Sequence, residues 1–134
     1  MMPTPAITTL RSTLATTLTN NGVWSIFEFP PETPLANSCV ILPADPYIVP
    51  NNNNHITIAP LARFIVQLFV PMLDNKGNLN TIENFVYQAV DKLGNASYAL
   101  NISDVSAPVN VSLVTGDLLG VEITVEILTT WSST

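Results

Sequence analysis

Residues 119–130, "LGVEITVEILTT", narrow the choice of fold more than any other part of the chain. Val121, Ile123, Val125 and Ile127 alternate there with Glu122, Thr124 and Glu126. A period of two places the apolar set on one face of a strand and the polar set on the other. The result is a half-buried strand with one wet face, the kind that antiparallel sheets tolerate.

The rest of the chain reads as a helix, three strands, a second helix and two further strands before this one. Pro3 and Pro5 mark a helix start, with Thr4 placed to cap the first turn. Ile7, Leu10, Leu14 and Leu18 follow at helical spacing, and "NNG" at 20–22 supplies a left-handed stop. "VWSIFEF" at 23–29 has two largely apolar faces and reads as a strand covered on both sides. "PPETP" is a loop, since consecutive prolines cannot donate to a ladder, and "SCVIL" at 38–42 is a short second strand.

Residues 43–54 carry Pro43, Pro46 and Pro50 and then four asparagines, Asn51 to Asn54. Each proline fixes a backbone angle and removes a donor, and asparagine has poor strand propensity. This stretch therefore reads as an extended, unpaired loop ordered by a neighbour. The third strand, 56–70, bends at Pro60 and turns Phe64, Val66, Leu68 and Val70 toward a core. Arg63, Ile65, Gln67 and Phe69 form its other face, a mixed surface suited to a protein contact.

The second helix is expected over 79–93, with Leu79, Ile82, Val86, Ala89, Val90 and Leu93 as its apolar stripe. Asn78 or Asn80 caps it, Glu83 and Lys92 suit the two ends of its dipole, and Gly94 stops it. Strands at 97–103 and 109–115 precede the last one, with "TGDLLG" as a hairpin turn. The order describes a single α+β domain over residues 1–134. Its sheet is largely antiparallel, of about five to six strands, with two helices packed on it.

Charge limits the function classes. Lys, Arg, Asp and Glu make up 10% of residues, against about 25% in an ordinary soluble domain. Mean hydropathy is +0.35. Few charges leave a lone monomer poorly dispersed, whereas interface cores are depleted in charge. The composition thus favours a subunit covered by copies of itself or by partners. The net charge of -6 argues against a nucleic-acid binder, which needs a basic patch, but is compatible with a surface that DNA slides past. No apolar run reaches the roughly 18 residues of a membrane span. The first residues lack the basic and apolar regions of a secretory signal and read as mature, cytosolic sequence.

Chemistry-bearing motifs are missing from this reading. Cys39 stands alone, so it forms no internal disulfide and reads as a small buried residue. His55 is the single histidine, and no nucleophile elbow accompanies it. Glu122 and Glu126 share a strand face roughly 13 Å apart, beyond the roughly 5–9.5 Å separation of glycosidase pairs. No Ca²⁺-loop spacing and no phosphate-cradling glycine loop occurs. The sequons at Asn95, Asn101 and Asn110 read as chance in a chain without a signal. We expect no catalytic residue, no metal and no cofactor.

The helix "ITTLRSTLATTLTNNGV" leads into a strand, followed by "PPETPLANSCVILPADPYI". Next come "LARFIVQLFVPMLDNKGNLNTIENFVYQAVDKL" and the closing "GDLLGVEITVEILT". This succession, across nearly the whole chain, resembles the tail terminator (tail completion) proteins of long-tailed bacteriophages. The resemblance implies an α+β subunit of a homo-hexameric ring in the virion tail or neck, assembled in the host cytoplasm. Such a ring caps the tail tube, ends its polymerisation and meets head-completion or neck proteins. DNA passes through its bore as non-specific cargo, and no membrane is involved. The family has no catalytic residues to carry over, and "VPNNNN" at 49–54 has no counterpart in its pattern. Alternatives are another neck (stopper or adaptor) subunit, a tail-tube subunit, or, from a different class, a small hydrolase using His55. We expect Pro46, Tyr47, Pro50, Asn52 and Asn53 of the loop, with Arg63, Gln67 and Phe69, to meet a neighbouring subunit.

Overall fold

The computed structural model describes residues 5–29, 35–50, 60–72, 75–113 and 116–130. A 3-10 turn at Ile7–Thr9 runs into α1 (Leu10–Leu18), followed by β1 (Ser25–Phe27), β2 (Ser38–Val49) and β3 (Leu61–Pro71). The chain continues through α2 (Asn75–Gly94), β4 (Leu100–Val105), β5 (Val109–Val111) and β6 (Leu118–Leu128). The six strands form one mixed sheet in the order β1-β2-β3-β6-β4, with β5 also on β6. Only β1–β2 is parallel; the other pairs are antiparallel. The fold is α+β, with two helices and a mostly antiparallel sheet, as the alternation in the last strand predicts.

The core lies between the helices and one sheet face. From α1 come Leu10, Leu14, Ala15 and Leu18, and from α2 Ile82, Phe85, Ala89 and Leu93. From the sheet come Cys39 and Ile41, alternate residues of β3 from Ala62 to Val70, and Val121 to Ile127 of β6. Period-two strands facing period-3.6 helices is the pairing these sequences dictate.

Several boundaries differ from the sequence reading. β1 covers three residues and is half-exposed, not a seven-residue strand covered on both faces. Trp24 leaves the strand because its ring is needed elsewhere. It is buried, its Nε1 donates to the Leu18 carbonyl at 2.8 Å, and its ring meets Phe85 edge-on at 5.3 Å. One end carbonyl of α1 is satisfied in this way. Helix α1 ends before the expected glycine stop. Gly22, at φ +84°, instead serves the turn that returns the chain to Trp24.

β2 is longer than "SCVIL" and takes in part of the stretch expected to be unpaired. Its register with β3 shifts between Pro43↔Phe64 and Ile48↔Ala62, so β2 advances five positions (43 to 48) while β3 advances two (64 to 62). Pro46, after a cis bond to Asp45, falls in this bulge, where no ladder donor is required; Pro43 is the last paired residue before it, and Pro50 lies beyond the strand. Pairing resumes at Ile48 and Val49. The four asparagines, His55 and the expected strand start at 56–59 lie outside the described residues, as does the Thr4 cap.

Helix α2 begins at Asn75, so Asn78 and Asn80 fall inside it and not at its cap. At about 100° per residue, Ile82, Phe85, Ala89 and Leu93 occupy an arc of about 80°. Leu79 and Val90 lie on its flank, and Leu79 is 47% exposed. Phe85, absent from the expected stripe, is in the core, and Leu79 is not. β4 starts at Leu100 because Tyr98 turns inward, buried, with its hydroxyl 2.6 Å from Thr17 Oγ1.

Candidate functional site: the uncovered sheet face

Among the described residues no helix covers the second face of the sheet. The β3–β6 register sets its content: Arg63 lies opposite Glu126, Ile65 opposite Thr124, Gln67 opposite Glu122, and Phe69 opposite Gly120. The face is polar toward Arg63 and apolar toward Phe69.

At the polar end, Arg63 Nε lies 3.4 Å from Glu126 Oε2, and its Nη1 donates to the Pro46 carbonyl at 3.3 Å. Asn101 Nδ2 donates to the other Glu126 oxygen at 3.2 Å, and Gln67 Nε2 donates to Glu122 Oε2 at 3.0 Å. These solvent-reachable pairs contribute little stability singly. What they do is hold the β2 bulge against β3 and fix two carboxylates.

At the apolar end, Phe69 is buried with Val40 and Leu118, and Phe27, Leu42, Val111 and Leu113 pack around them. Its ring lies so close to Gly120 that a Cβ there would stand 3.0 Å from Cε1. Glycine is what lets the ring come this close to the strand. Between the two ends runs a half-open groove of about 410 Å³, lined by Gln67, Phe69, Val109, Val111, Gly120 and Glu122.

Ser106 closes the groove's edge. β4 and β5 lie end to end along β6, and Ala107 and Pro108 interrupt them. At the break, Ser106 N–H donates to the Glu122 carbonyl at 2.8 Å, and the Glu122 N–H donates to Ser106 Oγ at 2.9 Å. The side chain thus accepts the bond that a strand carbonyl would otherwise accept.

The opposite edge of the sheet carries a second feature. Phe29, two residues past β1, is 68% exposed, and the Arg11 guanidinium carbon lies 5.0 Å from its ring centroid. Arg11 Nη1 donates to the carbonyls of Glu28, at 2.6 Å, and Ile41, at 3.4 Å.

The expected contact residues are distributed as follows. Gln67 and Phe69 meet in the groove. Arg63 and Pro46 meet through a hydrogen bond, and Tyr47, 38% exposed, sets its ring edge-on to Phe64 at 5.5 Å. Pro50 is exposed at the end of β2, while Asn52 and Asn53 lie outside the described residues. Sequence reasoning missed Ser106, Val109, Val111, Gly120 and the Arg11–Phe29 pair, and it read Glu122 only as a solvated carboxylate. Their meeting depends on strand register, which no local pattern contains.

Among the described residues, no group of three or more His, Cys, Asp or Glu could hold a metal ion, and no helix is long and apolar enough to cross a membrane. The arrangement sets an apolar groove beside a carboxylate that Gln67 holds in place. No protein-family model matches the chain, and no curated protein matches it significantly.

Proposed function

We propose that this chain is a ring-forming structural subunit of a phage tail. It acts as a terminator that caps the tail tube, ends tube growth and joins the tail to neck proteins. The observation that carries the reading is a sheet face left bare by both helices, with an apolar groove, in a chain where only 10% of residues are charged. A subunit flanked by copies of itself would cover that face. The α+β order supports the resemblance that the sequence phrases carry. Acidity suits a conduit: a ring of copies each at -6 repels phosphate and lets DNA pass without sticking.

Mass measurement in solution tests the reading. The purified chain should form a hexamer, alone or on meeting tail-tube ends, and particles lacking it should carry overlong tails. A chain that stays monomeric beside both tubes and neck proteins would overturn it. Filled heads without tails would replace the terminator role with a neck role.

A further inference from the structure

A closed ring of identical subunits repeats one head-to-tail contact, so each copy must carry two different, complementary patches. Two such patches sit at opposite edges of this sheet. Beside β1, Phe29 stands 68% exposed with the Arg11 guanidinium over its ring, forming an aromatic knob that carries a cation. Toward the β5 edge, the groove offers the inverse: Phe69, Val109 and Val111 as apolar walls, with the Glu122 carboxylate at one end. Val109 is itself 59% exposed at the rim.

Size and charge both match. A cavity of roughly 150 Å³ takes up benzene, so a groove of about 410 Å³ has room for a phenyl ring and part of a guanidinium. Among the described residues neither Arg11 nor Glu122 has an ion-pair partner; the pair that is formed is Arg63 with Glu126. Gln67 holds the Glu122 carboxylate from one side. Aromatic residues and arginine are also the side chains most enriched in interface cores.

We propose that Phe29 and Arg11 of one copy seat in the groove of the next, with Phe29 against Phe69 and Val109 and Arg11 facing Glu122. The proposal rests on the ring-forming reading and names its repeating contact. It makes the groove an acceptor for a second copy, leaving the α2 side of each subunit outside this joint.

The full-length chain provides the test. Arg11→Glu and Glu122→Arg should each lower the assembled fraction more than about tenfold, and the double variant should recover it. Arg11 also holds two carbonyls within its own copy, so a cross-link serves as an independent measurement. One chain carrying Glu28→Cys and another carrying Ala107→Cys should join under mild oxidation only when mixed. Both positions are exposed and border the proposed contact without belonging to it. Wild-type assembly with no mixed cross-link, or with both single charge reversals assembling normally, would overturn the pairing and leave the ring reading standing. A wild-type chain that never assembles would overturn both.

Discussion

Cys39 lies opposite Leu68 on the helix side of β2 with no exposed surface, and burial pushes its thiol from 9.0 up to about 12. In the unfolded chain the thiol ionises near its ordinary value, while the folded chain keeps the proton. Above pH 9 the unfolded state therefore holds fewer protons than the folded one, and stability falls as pH rises toward 12. The full effect is on the order of a few kcal/mol. Tyr98 acts in the same direction above its ordinary 10.0, because burial raises it more than its hydrogen bond to Thr17 lowers it. We expect the thermal midpoint to decline from pH 9 upward, and Cys39→Ala to make that decline shallower. An identical slope in the variant would mean that other groups control alkaline unfolding. Burial of Cys39 was legible in "SCVIL". The Tyr98 contact was not, since its partner stands 81 positions away.

Elements with a strong period were legible because burial writes itself into the sequence at that period. β3 and β6 show the expected alternation, and α2 the expected stripe with its centre moved toward Phe85. β2 was misjudged because proline normally ends a ladder, and nothing local distinguishes a bulge from a loop. The β4–β5 edge was read as two strands without its link, since the link is a side-chain bond across to β6. That break at Ala107 and Pro108 also blunts an edge that would otherwise invite a foreign strand. Ser106→Ala should cost about 1 kcal/mol by leaving the Glu122 N–H without its acceptor. Hydrogen exchange would locate the loss. The Glu122 amide should exchange faster, while amides deep in the β3–β6 ladder keep their protection. If Glu122 is unaffected, the hydroxyl does not hold the edge.

At the scale of the molecule, the earliest and latest described segments are fastened to each other. Ala6 forms a parallel bridge with Thr130, and the Ile7 N–H donates to the Thr130 carbonyl at 3.1 Å. Thr129 is the centre of the clasp: fully buried, it donates its hydroxyl to the Pro5 carbonyl at 2.7 Å and its N–H to the Pro60 carbonyl at 3.1 Å. One residue thereby joins the start of the helical layer, the entry to β3 and the end of β6. The hydroxyl bond spans 124 positions, so no window of sequence announces it, and the final strand pattern predicted only its own faces. Because it closes the chain over such a distance, the clasp sets how firmly α1 stays on the sheet. Thr129→Val keeps the shape and removes the donor, leaving a carbonyl without it; the expected loss is about 1–2 kcal/mol. Thr129→Ser keeps the hydroxyl and should retain most of the stability. The discriminating readout is again exchange: in the valine variant the Ile7 amide should lose protection first, ahead of the β3 amides. Unchanged protection at Ile7 together with an unchanged unfolding midpoint would show that the helical layer is held by its apolar contacts alone.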